Sequence, residues 1–258
     1  VRARSLIVGI LAAAATALGG LAMPAAAAPA TTAGDVDPLV VGGTNATETY
    51  SFMVSLQGTS GNHFCGGSLI KANWVVTAKH CVAGQSAGSI QARIGTTNRT
   101  TGGTVARASR IINHPSSIDL SLVQLSTSVT QAPISIAPQS GAVGTASRII
   151  GWGQTCPVRG GCGAPINLQQ LDTSIVADSS CRGITAANEI CTNNPNGNSG
   201  ACYGDSGGPQ VKGSTGNWTL IGATSRSGNG DSRCATGPSI YVDVSSYRDW
   251  ISQQVGGL

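Results

Sequence analysis

Gly204-Asp205-Ser206-Gly207-Gly208-Pro209 sets one hydroxyl between an acid and two glycines and closes the run with a proline. Glycine permits positive φ, and proline fixes its own φ and removes an N–H donor. The run therefore reads as a tight, rigid loop that holds its serine up. Successive backbone N–H groups in such a turn can converge on one point as an anion-binding nest. A nucleophile beside donors aimed at a developing oxyanion is what acyl transfer requires. Taken alone, the run is also compatible with a glycine-rich surface turn, because short motifs match by chance.

A serine hydroxyl is a weak nucleophile until a base takes its proton. The chain offers three imidazoles, His63, His80 and His114. His80 abuts Cys81, so a disulfide can anchor its backbone. His114 precedes Pro115 in an expected loop and reads as a solvated or structural histidine. An orienting carboxylate should come from a third segment. Asp119 stands at the head of the apolar run Leu120 to Leu125, where an acid is expensive without a partner. Each residue taken singly has a structural reading, the acid as a loop-end carboxylate facing water; their contexts agree only when they are taken together.

The elements that must position these groups are short strands. Tyr50 to Gln57, His63 to Ile70, Asn73 to Ala78, Ile90 to Ile94 and Val105 to Ile112 have strand composition, and Leu120 to Leu125 alternates as a half-buried strand should. Gly66-Gly67 predicts a bulge or bend inside its run. Ala132-Pro133 marks a linker. Beyond it, Ser147 to Ile150, Leu168 to Val176, Gln210 to Lys212, Trp218 to Thr224 and Ser239 to Val244 repeat the style, with Gly151-Trp152-Gly153 as a turn. Only Val244 to Val255 has helical spacing, with Tyr247, Trp250, Ile251 and Gln254 three and four apart. Many short strands and one terminal helix point to β-barrels and away from a parallel α/β sheet.

Of 258 residues, 36 are glycine and only 10% are charged, with a net charge of +4. No Lys/Arg cluster interleaves with aromatics, so nucleic-acid binding has no support. Arg2 and Arg4 precede an apolar run from Leu6 to Ala22 and an Ala-rich stretch, the layout of a secretory signal peptide cut after Ala27. Gly9, Gly19, Gly20 and Pro24 break the run, which is short for a membrane span. No later stretch is apolar enough to cross a bilayer, so no membrane partner is expected after signal removal. Export fits the eight cysteines, since disulfides persist outside the cytosol. The opening valine suggests a GTG start codon read literally, hence a bacterial source.

The chain resembles the chymotrypsin/trypsin family of serine peptidases, as a secreted, bacterial-type member. The resemblance runs from Val40 to the C-terminus. It is carried in order by Val40-Val41-Gly42-Gly43, Cys65-Gly66-Gly67-Ser68-Leu69-Ile70, Thr77-Ala78-Lys79-His80-Cys81, Asp119-Leu120-Ser121-Leu122, Gly151-Trp152-Gly153, the Ser206 loop and Asp249-Trp250-Ile251. It implies an all-β fold of two antiparallel six-stranded β-barrels with a C-terminal α-helix. The implied organisation is a signal peptide over 1–27, a short propeptide over 28–39 and a peptidase domain over 40–258. Within that domain the first barrel spans about 40–132, the second about 133–244 and the helix about 245–256.

The resemblance further implies Ser206 as nucleophile, His80 as general base and acid, Asp119 as its orienting carboxylate, and the N–H groups of Gly204 and Ser206 as the oxyanion hole. Ser225 matches the serine that supports the aspartate. Cleavage of Leu39–Val40 by an activating protease would free a Val40 ammonium to pair with Asp205; before cleavage, His63, with Ser55 behind it, is expected to hold Asp205. Three disulfides are implied, Cys65–Cys81, Cys181–Cys191 and Cys202–Cys234, which leaves Cys156 and Cys162 for a local bridge. No Cys/His cluster has zinc spacing, and the stretch from Cys81 to Ile111 contains no Asp or Glu for calcium. Neither a metal nor another cofactor is expected.

The primary pocket should have Gly200 as its floor, Ser227 and Ser239 as walls, and Tyr203, Ser225 and Arg226 around it. Without a buried carboxylate, a preference for Lys or Arg lacks its cause; a small to mid-sized uncharged side chain is expected. Arg226 stands where a tryptophan is usual and offers a charge for an acidic substrate residue. Lys79 departs from the usual alanine, with no effect assigned. The expected partner is a protein or peptide substrate, and the expected state a monomer. A catalytically inactive binding module and an esterase with the same three side chains are the alternative functions.

Overall fold

Residues 53–125 supply six strands whose apolar side chains have only one another to bury against. A computed structural model describes residues 40–258; the expected signal peptide and propeptide lie outside the described residues. The chain enters through β1 (Thr44–Asn45), then β2 (Met53–Gly58), β3 (His63–Lys71) and β4 (Trp74–Thr77). A single helical turn, α1 (Lys79–Val82), precedes β5 (Ile90–Ile94), β6 (Thr104–Asn113) and β7 (Ser121–Leu125). Strands β2-β3-β4-β7-β6-β5 close into a barrel, all antiparallel. Closure removes both edges of the sheet. Leu56, Leu69, Val75, Ile90, Ile94 and Val123 fill the interior with no exposed surface, each such side chain contributing roughly 1.5–3 kcal/mol.

Two local readings change in this barrel. The bulges of β3 do not fall at Gly66-Gly67: register shifts on either side, against β2 between Leu56 and Gln57 and against β4 between Leu69 and Lys71. The missing side chain at Gly66 serves a close approach, because a Cβ there would lie 2.8 Å from the Cα of Gly208. The alternation in β7 does not make it half-buried: Ser121, Leu122, Val123 and Leu125 are all buried. A strand in the closed barrel with the second half packed over it has no wet face, and Ser121 satisfies its hydroxyl by donating to Asn113 Oδ1 at 2.7 Å.

The second half contains β8 (Ser135–Ile136), β9 (Ala146–Gly151), β10 (Gln169–Ser174), β11 (Glu189–Thr192), β12 (Pro209–Lys212), β13 (Thr219–Ser227) and β14 (Ser239–Asp243). They form one sheet in the order β1-β10-β9-β12-β13-β14-β11, with β8 alongside β13. This differs from the expected second six-stranded barrel. The short β11 meets the end of β10 only through an isolated bridge, Ile175 to Thr192, so the sheet does not close. β1 also joins this sheet, although it lies within the segment expected to build the first barrel.

A short 3₁₀ turn leads into α2 (Arg248–Val255), which buries Ile251 and Val255. Asp243 caps the turn through the N–H of Ser245, and Gly256 at φ 77° ends the helix in the left-handed conformation. Tyr247 and Trp250 clasp the ring of His114 edge-on, with centroids 5.1 and 4.7 Å away. His114 is therefore a packing residue, and it fixes the loop that carries Asp119. All four cysteine pairs form, Cys65–Cys81, Cys156–Cys162, Cys181–Cys191 and Cys202–Cys234.

Candidate active site

His80 enters on α1, shortly beyond the end of a barrel strand and beside the Cys65–Cys81 disulfide. Asp119 lies in the loop before β7. Its Oδ1 accepts the backbone N–H of His80 at 2.8 Å, and its Oδ2 accepts from the ring Nδ1 at 2.7 Å. Ser225 Oγ donates to the same Oδ2 at 2.7 Å. Burial tends to raise the pKa of Asp119, but the donors on His80 and Ser225 outweigh it and hold the carboxyl below the usual range. A carboxylate held this way keeps the proton of the neutral ring on Nδ1 and leaves Nε2 as the acceptor.

Ser225 reaches Asp119 because β13 bulges there. The register against β14 runs Thr224 to Tyr241 and then Arg226 to Ile240, with Ser225 as the extra residue.

The Ser206 loop is tied into both halves. Ser206 O accepts from Gly66 N at 2.8 Å, and Gly207 N donates to Thr224 O at 2.8 Å. The N–H groups of Cys202, Asp205 and Gly208 are also spent, on Asp205 Oδ2, Cys202 O and Asp205 O. Among the described residues, the N–H groups of Gly204 and Ser206 have no acceptor. Gly204 sits at φ 100°, a conformation that side chains rarely adopt. Ser206 and His80 line the same cavity, of about 710 Å³. No hydrogen bond joins Ser206 Oγ to His80 Nε2, which lies 4.0 Å from Cys81 Sγ. Such bonds are commonly long in the absence of substrate.

Asp205 is fully buried, with Oδ1 accepting from Gly153 N at 2.8 Å and Oδ2 from Cys202 N at 2.9 Å. Burial pushes its pKa up to about 6, against the pull of those two donors. The Gly151-Trp152-Gly153 motif is its cradle: a Cβ on Gly151 or Gly153 would come within 2.0 or 2.2 Å of a carboxylate oxygen. His63 does not hold Asp205 as expected. It donates from Nε2 to Gly204 O at 3.0 Å and accepts at Nδ1 from Ser55 Oγ at 2.8 Å. Burial lowers its pKa to about 4, so the ring is neutral and fits that donor–acceptor arrangement. The backbone donors already satisfy Asp205, which leaves the imidazole to the adjacent carbonyl.

Val40 is buried among Ile149, Ile190, Ile221 and Tyr241. Val41 O accepts from Gly200 N at 2.9 Å; Gly200, the expected pocket floor, is not itself in the lining of the Ser206 cavity. A Cβ on Gly200 would lie 3.7 Å from Ser239 Oγ, and Ser239 does line the cavity. Ser227 Oγ donates to Asn229 Oδ1 at 2.6 Å. Arg226 does not face the substrate cavity as a free charge. Its two terminal nitrogens bind Glu189 Oε1 and Oε2 at 2.6 and 2.9 Å, and one also donates to Gly183 O. Glu189 carries no signal of its own in the sequence; it opens the short buried strand β11. Lys79, to which the sequence assigns no effect, proves to be a tether. Its Nζ donates to the carbonyls of His114 and Ser116 at 2.9 and 2.8 Å, lacing α1 to the Asp119 loop.

Cys65, His80 and Cys81 cluster closely enough to resemble a metal site, but the two sulfurs are joined to each other and have no thiolate to offer. Among the described residues, no helix is long and apolar enough to cross a membrane.

A closed barrel joined to a second sheet, with a serine and a carboxylate-bound imidazole lining one cavity, defines a chymotrypsin-like serine peptidase fold. A family model described as Trypsin matches residues 40–251. Trypsin of Sus scrofa is 36% identical over 240 residues, covering 86% of this chain and 97% of that protein. Trypsin alpha of Drosophila melanogaster is 34% identical over 264 residues, covering 95% and 96%. Cationic trypsin-3 of Rattus norvegicus is 35% identical over 238 residues, covering 86% and 91%. The chain belongs to the trypsin family and is a serine endopeptidase, a hydrolase. These relatives are animal proteins and lend no support to the bacterial attribution.

Proposed function

We propose that the protein is secreted as a zymogen and hydrolyses peptide bonds through Ser206, His80 and Asp119. Ser206 Oγ bonds to the scissile carbonyl carbon as its proton passes to His80 Nε2. The carbonyl oxygen takes up negative charge and accepts from the N–H groups of Gly204 and Ser206. The carbon–nitrogen bond then breaks, the leaving amine takes the proton from His80, and water repeats the sequence on the acyl-enzyme. The observation that carries this reading is the pair of free N–H groups at Gly204 and Ser206, while those of Asp205, Gly207 and Gly208 around them are spent. Losing one such donor typically raises a barrier by roughly 3 kcal/mol.

Activation follows from cleavage of Leu39–Val40 by another protease. The freed ammonium supplies the counter-ion that buried Asp205 lacks. Val40 is β-branched yet sits at φ 23°, a conformation it strongly disfavours, and cutting that bond releases it. The primary pocket takes a small to mid-sized uncharged residue. Gly200 brings no carboxylate to the expected floor, and Ser239 lines the cavity. The trypsin relatives do not supply this preference; it rests on the pocket residues of this chain.

Labelling by a fluorophosphonate probe tests the chemistry. The activated protein should label and the Ser206→Ala variant should not; equal labelling of both would overturn the assignment. A peptide panel varied at the residue before the cut tests the pocket, and fastest cleavage after Lys or Arg would refute it.

A further inference from the structure

Two of the arginines lining the Ser206 cavity, Arg159 and Arg233, have no ion-pair partner among the described residues. Both are exposed. They come from different loops, yet the loops are built into one platform. Cys156–Cys162 closes the Arg159 loop, and Cys202–Cys234 ties the segment before Ser206 to the Arg233 loop. Cys234 N donates to Pro157 O at 2.9 Å and joins the two loops through their backbones. Tyr203 lies between them: its ring carries the Arg159 guanidinium 5.0 Å above its centroid, and its hydroxyl donates to Ser232 O, next to Arg233. Stacking on an aromatic face holds a guanidinium in place while leaving its edge donors free.

The neighbouring acids offset only part of this charge. Glu189 is taken by Arg226. Asp231, also in the cavity lining, accepts from Arg233 N and Thr236 Oγ1, both at 2.9 Å. The lining therefore offers two guanidinia on braced loops in the cavity that holds Ser206, against one exposed carboxylate, and so keeps a net positive charge.

We propose that Arg159 and Arg233 select substrates with acidic side chains flanking the cleaved bond, so that the preferred substrate is an acidic peptide. The proposal deepens the peptidase reading and rests on Ser206 acting in this cavity. It concerns residues outside the primary pocket, and the loop disulfide Cys156–Cys162 thereby gains a purpose: it fixes Arg159 over Tyr203.

The test uses activated protein and matched peptides that differ only by Glu or Gln at one position, stepped through four positions on each side of the bond. At low salt, at least one position should favour Glu about tenfold in kcat/KM. The advantage should shrink at 1 M salt, where the Debye length falls to about 3 Å. In Arg159→Gln or Arg233→Gln the Glu/Gln ratio should fall severalfold, and in the double variant to about one. A wild-type ratio of one at every position, or a ratio that survives the double substitution, overturns the proposal. Binding of the same peptides to the activated Ser206→Ala protein, read by fluorescence anisotropy, separates the two readings. A Glu preference in binding without turnover in the wild type would sink the peptidase mechanism and keep the acidic selectivity.

Discussion

Arg226 and Glu189 meet end to end, with both terminal nitrogens of one on both carboxylate oxygens of the other at 2.6 and 2.9 Å. The pair turns the most unusual residue of the pocket rim into an internal brace between β13 and β11. Glu189 is the buried member, with its side chain 6% exposed against 42% for Arg226. Arg226→Leu strands that carboxylate and should destabilise the fold by about 2 kcal/mol, less than for a fully buried pair because water screens the arginine. The double change Arg226→Leu/Glu189→Leu should recover most of the loss. Urea unfolding of the single and double variants checks this, and additive losses would contradict it.

Asp119 holds His80 through two bonds and is itself steadied by Ser225. Asp119→Asn should lower kcat by about 10⁴-fold by favouring the wrong tautomer of His80. Ser225→Ala removes one supporting bond of about 1 kcal/mol and should lower kcat several-fold. Steady-state kinetics on one good peptide, with folding checked by circular dichroism, distinguishes the two.

Lys79 crosses from α1 to the carbonyls of His114 and Ser116. Lys79→Met should cost about 1–2 kcal/mol of stability and reduce kcat more than it raises KM, because it loosens the spacing of His80 and Asp119 without touching the pocket. A rise in KM at constant kcat would assign Lys79 to substrate binding instead.

The buried pair Asp205 and His63 gives the uncut chain opposing pH responses. Asp205 titrates at about 6 when folded and at 3.8 as a free carboxyl. The folded form therefore binds the proton more tightly, and its stability falls as pH rises from about 4 to about 6, by roughly 3 kcal/mol in total. His63 is lowered from 6.5 to about 4, so its contribution is present above 6.5 and is lost as pH falls through that window. In the uncut Ser206→Ala protein, Asp205→Asn should leave the slopes of His63 and His114, whose pKa values burial lowers alike, with stability rising with pH across the window. Urea unfolding from pH 4 to 7, with and without Asp205→Asn, isolates the difference; parallel curves would refute the Asp205 contribution.

Gly200 leaves ordinary contact distance for a side chain, with Ser239 Oγ 3.7 Å from a built Cβ. Gly200→Asp should place a carboxylate on the floor and move the preference toward Lys and Arg by tenfold or more in relative kcat/KM. The same peptide panel reads the outcome, and an unchanged profile would show that the floor lies elsewhere.

The strands of the first half were legible because β-branched and apolar runs bounded by glycine and polar turns have few other ways to bury themselves. The Ser206 loop was legible because its glycines and proline permit few conformations. Three short strands were missed, β1, β8 and β11, of two, two and four residues, as was the four-residue helical turn α1. Strands that short carry no period of their own and exist only through the neighbours they pair with. The expected half-burial of β7 failed for a related reason, since alternation reports two faces and says nothing of what covers the second.

From the chain alone came the reactive set, the cysteine partners implied by the family likeness and the order in which the groups appear, since these depend on residue identity and local backbone preference. Tertiary structure alone decided what each charge and donor meets. It sent Arg226 to Glu189, Lys79 to the Asp119 loop and His63 to Gly204 O, and it left two N–H groups beside Ser206 without a partner. Those outcomes depend on distances between segments tens of residues apart, set by barrel closure, sheet register and one bulge in β13, and no local pattern encodes them.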